Sequence, residues 1–337
     1  MLKRIWVIGG VSILLWTCLS FDYQTKKKNN AVSLMWYNVE NLFDTLNDLS
    51  KNDDDFTPSG KLNWNSFKYQ SKINNIARVI KSQSKELPDF LGFCEIENKR
   101  VLEDLFKTVS PLNDYIIVHY DSPDERGIDV GFAFNKKRWV LLNSKPISVH
   151  FNSQPDDKTR DLLYVQSKSI DNLDTINFML VHFPSKQGGT MVSQAKRIQA
   201  AEICSQSMKS VGVDKHWIVM GDFNDQPWDV SLSKSLNAHS LNSKQETHLY
   251  NLMWNSNKGL GSYNYQGKWE KLDQFIVSNS LINKYFINKN SNSVSLYKPD
   301  WLLKQTKKGK LVPFRNYEGT EWKNGFSDHL PIVLKLN

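Results

Sequence analysis

A chain of 337 residues with 40% hydrophobic and 23% charged side chains can bury a large core, which excludes disorder over any long stretch. The formal charge is +8, or about +6 without Lys3 and Arg4. A positive balance suits a polyanionic partner, although simple solvation explains it equally well.

The chain opens with Met1-Leu2-Lys3-Arg4, an apolar run to Phe21 and then polar residues, the pattern of an export leader over 1–20 with a short polar linker over 21–30. The run falls short of the roughly 20 residues of a spanning helix. Leu15-Trp16-Thr17-Cys18 resembles a relaxed lipoprotein box, which makes Cys18 a candidate lipidation site and membrane tether. Cys94 and Cys204 lie in apolar and helical patterns and are expected as small core residues without a disulfide.

Short apolar runs at 31–37 and 89–94 read as strands, and Tyr69, Ile73, Ile76, Ala77 and Ile80 recur at helical spacing between them. The turn-rich insert before that helix carries Asp53-Asp54-Asp55, expected as a solvated surface because it lacks the alternating spacing of a calcium loop. Asn98 is placed to cap a helix through Val101, Leu102, Leu105 and Phe106. Strand-like runs follow at 115–120, 128–134, 138–142 and 161–167, spaced for antiparallel pairing. A strand at 176–182 and a helix over 190–208 come next, then strands at 216–220, 272–277 and 330–336. Segment 286–324 is rich in Asn, Lys and aromatics with weak periodicity. It reads either as a solvated loop or as a lobe whose Trp301, Lys304, Lys307, Lys308, Lys310 and Arg315 meet phosphates or bases. No composition break divides residues 31–337, so two face-to-face sheets with outer helices fit better than two domains.

Polar residues stand at the ends of these runs: Asn38 and Glu40 in WYNVEN, Glu95 in LGFCEIEN, His182 in FMLVHF, Gly221-Asp222-Phe223-Asn224 after WIVM, Asp273 in KLDQFIV, and Ser327-Asp328-His329 before LPIVLKL. Strand interiors are hidden and strand ends displayed, so these residues can meet in one cleft. Carboxylates, amides and two imidazoles in a cleft describe a metal-dependent hydrolase of phosphate esters. Hard oxygen donors suit Mg²⁺ or Mn²⁺, Ca²⁺ could serve as a structural ion, and a closed zinc site is disfavoured. Each residue has a plain reading as well. Glu95 can cap a strand end and has a rival in Glu97, Asn38 can be a turn residue, and a lone His before LPIVL is usually a satisfied one.

The ordered set resembles the endonuclease/exonuclease/phosphatase (DNase I-like) superfamily over about residues 31–337, specifically a bacterial exported subgroup. The resemblance implies an α/β (α+β) fold: a four-layered alpha-beta-beta-alpha sandwich of two mostly antiparallel or mixed sheets with the site at one edge. It assigns Glu95, Asn38 and Asp328 to the metal, Asp222 and Asn224 to the attacking water and phosphate, and His329 with Asp273 and His182 to proton handling. Arg160 matches a phosphate-contacting arginine, with Arg126 and Lys186 as further phosphate contacts. Lys186 lies in a run resembling a subgroup's HWPSRRGG, with Phe183 and Lys186 as departures. Pro227 and Trp228 are expected to shape the pocket wall.

The implied function is an exported Mg²⁺-dependent phosphodiesterase, periplasmic, extracellular or anchored at the outer membrane. It is expected to cleave DNA with low sequence selectivity, with RNA as a secondary candidate. The alternatives are a small or lipid phosphoester as substrate, or a noncatalytic nucleic-acid-binding module. The expected partners are nucleic acid as substrate and a membrane through the leader or Cys18. No obligate protein partner is indicated, and a monomer is expected.

Overall fold

The computed structural model describes residues 31–337 apart from 111–112, 153, 173, 187–188, 246, 257–259 and 288–292. The leader, Cys18 and the linker lie outside the described residues. Strands β1 (Val32–Leu42) and β2 (Phe90–Ile96) are near-continuous apolar runs, as strands covered on both faces must be. They pair in parallel because α1 (Ser66–Ser82) carries the chain back between them. Asn98 caps α2 (Lys99–Val109) by accepting from the Val101 N–H, and Val101, Leu102, Leu105 and Phe106 form its buried stripe. Strands β3 (Tyr115–His119) and β4 (Asp129–Asn135) pair antiparallel at the edge of this sheet.

The second sheet begins with the antiparallel run β5 (Trp139–Ile147), β6 (Leu162–Ser169) and β7 (Thr175–His182). Helix α3 (Thr190–Val211) crosses to β8 (Trp217–Asp222), parallel to β7. The short strands β9 (Ala238–His239) and β10 (Leu249–Asn251) follow, then a hairpin of β11 (Tyr263–Tyr265) and β12 (Lys268–Glu270). Strand β13 (Asp273–Ser278) returns antiparallel to β8 and leads into α4 (Asn279–Lys284).

Segment 286–324 has more structure than its weak periodicity suggests. It holds β14 (Val294–Leu296), a hairpin of β15 (Leu303–Gln305) and β16 (Leu311–Pro313), and a hairpin of β17 (Tyr317–Glu318) and β18 (Glu321–Trp322). These strands are two or three residues long, too short to show alternation. The last strand is β19 (Ile332–Leu336).

The sheets order as β14-β19-β1-β2-β4-β3 and β5-β6-β7-β8-β13-β10-β9. Alternation sorts their side chains between two cores. Ile176, Phe178 and Leu180 of β7, with Ile218 and Met220 of β8, pack toward the first sheet; Met179, Val181, Trp217 and Val219 pack toward Ala200, Ala201, Cys204 and Met208 of α3. With α1 and α2 on the outer face of the first sheet, the result is a four-layered α/β sandwich with mixed sheets. Cys94 and Cys204 are both free and buried. Among the described residues no helix is long and apolar enough to cross a membrane.

The acidic insert departs from expectation at one residue. Asp54 and Asp55 are exposed, but Asp53 is buried and accepts from the Asp48 N–H at 3.0 Å, so it organises the loop from within.

Two glycines permit close approaches, one between the sheets and one between neighbouring strands. A Cβ on Gly92 would stand 2.7 Å from Trp36 and 2.8 Å from Met220, so β2 closes on the second sheet only without one. A Cβ on Gly221 would lie 2.2 Å from the Val181 carbonyl oxygen, backbone that cannot step aside. Gly221→Ala is therefore expected to lower unfolding free energy by about 1–3 kcal/mol, read as a lower urea midpoint at unchanged slope.

Candidate active site

Strand register assembles one row of the site. Asp222, the last residue of β8, has His182 of β7 as its partner on one side and Asp273 of β13 on the other. In-register neighbours point to the same face, and the parity of Phe178, Leu180, Met220 and Phe275 turns all three toward the gap between the sheets. From the facing sheet, Asn38 follows Leu34 and Trp36 in parity and enters the same gap. The sheets are joined there by two hydrogen bonds: Asn38 Nδ2 donates to Asp222 Oδ2 at 3.1 Å, and Trp36 Nε1 to Asp273 Oδ1 at 2.8 Å.

Glu95 reaches the row by leaving strand geometry. A bulge between Cys94 and Ile96 puts Glu95 at φ 62°, a strained conformation for a non-glycine residue, and turns its carboxylate back toward β1. Oε1 accepts from Asn38 Nδ2 at 3.3 Å and Oε2 from the Asn41 N–H at 2.9 Å. A matching irregularity in β1 holds Glu40 and Asn41 at φ 51° and 57°, which aims both of their N–H groups at the site. Glu97 goes elsewhere, accepting from the Asp44 N–H, because β2 ends at Ile96 and its alternation does not continue.

Asn38 Nδ2 thus clamps two carboxylates while its Oδ1 accepts from the Glu40 N–H at 3.0 Å. That backbone donor fixes which way the amide faces. Ser327 Oγ donates to the Asn38 carbonyl oxygen at 2.7 Å and accepts from the His329 N–H at 3.0 Å, tying the C-terminal motif to β1.

The two histidines differ in charge. His329 Nδ1 donates to Asp273 Oδ2 at 2.6 Å, which leaves Nε2 facing Asp222 Oδ2 at 3.8 Å. Burial opposes its charge, but Asp273, Asp222 and Asp328 outweigh burial and hold the imidazolium well above the usual histidine range. His182 Nε2 lies 3.9 Å from the same Asp222 oxygen. Burial, then Arg160 and Arg126, push its pKa well below the usual range, so it is neutral, and its Nδ1 is buried without a partner.

The donor set suits a hard divalent cation. Cys94, His182 and Asp222 present ligand atoms within 4.8 Å of one another, as do Asp222, Asp273 and His329. Burial and the neighbouring Asp273 push the Asp222 carboxyl up to about 7, the mark of a buried acid short of positive charge. Burial and the nearby carboxylates raise Cys94 well above the usual thiol range, so it stays protonated and oxygen donors dominate. A proton and a cation compete for Asp222, so Mn²⁺ affinity should fall as pH drops below about 7, by up to about tenfold per unit. Calorimetric titrations at pH 6, 7 and 8 check this, and equal affinities would contradict it.

Asn224, at φ 50°, donates its N–H to Asp222 Oδ1 at 2.9 Å and its amide Nδ2 to the Phe183 carbonyl oxygen at 3.0 Å. Asp328 is half-buried, with Oδ2 at 3.3 Å from Arg315 Nη2. Arg160 is buried, donating to Asp124 at 3.2 Å and to the Phe183 carbonyl at 2.9 Å, and it lines one cavity with the half-exposed Arg126. Lys186 pairs with Glu270 at 3.2 Å. Trp228 is exposed and meets Trp254 edge-on.

Several neighbours complete the site. Tyr263 lies 4.7 Å, centroid to centroid, from the His329 ring, and Lys72 is buried beneath the site, donating to the Phe326 carbonyl at 2.7 Å. Glu40 accepts from Arg315 Nε at 3.0 Å and from the Asn316 N–H at 2.7 Å. Burial and Asp328 push Glu40 up to about 7, and burial pulls Lys72 down to about 8. A lysine beside the apolar stripe of α1 was the readable clue to Lys72, and a core tryptophan two residues before Asn38, whose N–H needs a partner, was the clue to the Trp36–Asp273 bond.

Residues 33–337 match the model of the Endonuclease/Exonuclease/phosphatase family. The chain belongs to this family. No curated protein sequence matches it. Among solved structures it is similar to an endonuclease/exonuclease/phosphatase family protein from Bacteroides thetaiotaomicron, with TM-score 0.57, 13% identity, and 90% of this chain and 97% of that one covered. The mannosyl-6-phosphatase of the same organism gives TM-score 0.56, 13% identity and 90% and 98% coverage. TDP2 of D. rerio, complexed with a single-strand DNA product, gives 0.54, 14% and 92% and 100%. These likenesses bear on the fold, and within this endonuclease/exonuclease/phosphatase fold the clustered carboxylates and imidazoles form a site capable of binding a metal.

Proposed function

We propose that this protein is a Mg²⁺-dependent phosphodiesterase that hydrolyses nucleic acid with low sequence selectivity. The observation that carries this reading is the approach of both imidazoles, at 3.9 and 3.8 Å, to a single Asp222 oxygen that Asn38 links to Glu95. Glu95 and Asp222 are the residues to hold the ion, with Asn38 orienting both and Asp328 acting through Arg315. When bound, the ion would neutralise the charge of a phosphodiester that otherwise repels attacking water.

The chain's own groups do the rest. His329, held as imidazolium by Asp273, donates from Nε2 to a phosphate oxygen and stabilises the charge that builds there. Asp222, oriented by the Asn224 N–H, aligns the attacking water. Neutral His182 offers a second ring nitrogen on the opposite side of Asp222. Arg126 and Lys186 stand at the rim, where phosphate contacts position a strand without reading its sequence. Arg160 acts by supporting the Phe183 turn between them. The basic start and apolar run before residue 21 support export, with Cys18 as a tether.

The test is a panel of single-stranded and duplex DNA, RNA, sphingomyelin, inositol phosphates and sugar phosphates, each with Mg²⁺ or Mn²⁺. Turnover of the polynucleotides well above the others is expected, and preferential turnover of a lipid or sugar phosphate would overturn the nuclease reading.

A further inference from the structure

We propose that the hairpins β11–β12 and β15–β16 form a subsite for a single-stranded polynucleotide, in which Tyr265 stacks a base and Lys307, Lys308 and Lys310 hold successive phosphates. The inference rests on the nuclease reading above and specifies the form of its substrate. The two hairpins flank a groove of about 670 Å³ lined by Tyr263, Tyr265, Lys307, Lys308, Lys310 and Arg315. Tyr263 connects the groove to the chemistry, since its ring lies against His329 and its backbone bridges that residue. Tyr265 is two positions along the same strand and so on the same face, and it is 57% exposed.

Charge on this lobe is sorted. Lys304 is paired with Glu318, and Arg315 with Glu40 and Asp328. Lys307, Lys308 and Lys310 are exposed, and among the described residues none of them pairs with an acid. Among the described residues Asp328 is the only acid lining the groove, and Arg315 already engages it. An open ring beside unneutralised lysines matches a ligand with both aromatic faces and repeated negative charge. A duplex keeps its bases stacked on one another and offers none to Tyr265. A lipid or sugar phosphate carries too few phosphates to employ three further lysines.

The experiment uses the full chain, Tyr265→Ala and the triple variant Lys307→Glu, Lys308→Glu, Lys310→Glu. Binding of a fluorescent single-stranded oligonucleotide and its duplex is read by anisotropy in EDTA. Turnover of both, and of bis-p-nitrophenyl phosphate, is read with Mn²⁺. Tyr265→Ala should weaken single-strand binding roughly tenfold and leave the duplex unchanged. The triple variant should reduce the slope of log affinity against log salt by about 2. Hydrolysis of bis-p-nitrophenyl phosphate should stay within about twofold of the parent, because the small diester does not reach the groove. Unchanged single-strand binding in either variant, or equal losses for single strand and duplex in Tyr265→Ala, would overturn the subsite. Failure of the parent to cleave any polynucleotide would overturn the nuclease reading, while the binding measurements still decide the groove.

Discussion

His329→Ala is expected to lower kcat for a phosphodiester by about 10²–10⁴-fold, the range for loss of a positioned acid or base. The reason is geometric. Asp273 fixes Nδ1, Tyr263 covers the ring and Ser327 holds the backbone N–H, so Nε2 is aimed at Asp222, and the neighbouring His182 lacks the carboxylate partner that keeps His329 charged. Circular dichroism and the urea midpoint would show whether the variant keeps its fold. The charge state adds a sharper readout. Asp273 helps hold His329 protonated, so Asp273→Asn should lower the His329 pKa. If His329 works as the imidazolium, activity is lost once it deprotonates, and the alkaline limb of the pH profile should move to lower pH. Movement of the acidic limb instead would mean that His329 works as a base.

The second large effect is expected at Glu95. EDTA should abolish turnover, and Glu95→Gln should raise the Mn²⁺ concentration needed for half-maximal rate and reduce the rate at saturating metal. A cation supplies several kcal/mol to a phosphoryl transition state, which corresponds to roughly 10³-fold in rate. The substitution keeps the side chain's shape and removes its charge. The Asn41 N–H can still bond the remaining oxygen, and the strained φ of 62° is retained. Wild-type rates in the presence of chelator would contradict the metal requirement.

The residues best read from sequence are those whose chemistry sits at the end of an apolar run. His182 and Asp222 close β7 and β8, and Asp273 opens β13, because a strand of alternating or continuous apolar residues announces where it stops. The helices α1 and α3 that carry the two parallel crossings were legible from their own apolar spacing. The bulges at Asn38–Leu42 and Cys94–Ile96 left no such trace, yet they decide that Glu95 rather than Glu97 faces the cleft. The resemblance, not the alternation, picked the glutamate that meets Asn38.

What joins distant segments was equally silent. Arg315 bonds Glu40 across 275 positions, and Lys72 reaches Phe326 across 254, and no local pattern encodes either pairing. The lobe over 286–324 divides along this line. Trp301 packs beneath Arg78, with the guanidinium 4.3 Å from its ring centre, and Lys304 pairs with Glu318. Of the cations singled out in this segment, Lys307, Lys308 and Lys310 remain open among the described residues. Composition counted the cations but not their partners, Glu318 within the lobe for Lys304, and Glu40 and Asp328 outside it for Arg315.

A crystal soaked in Mn²⁺ and measured at the manganese absorption edge addresses the central claim most directly. An anomalous peak within bonding distance of Glu95 and Asp222, between the ends of β2 and β8, is the predicted result. A well-ordered site without manganese there, or with manganese bound only away from these two carboxylates, would contradict it.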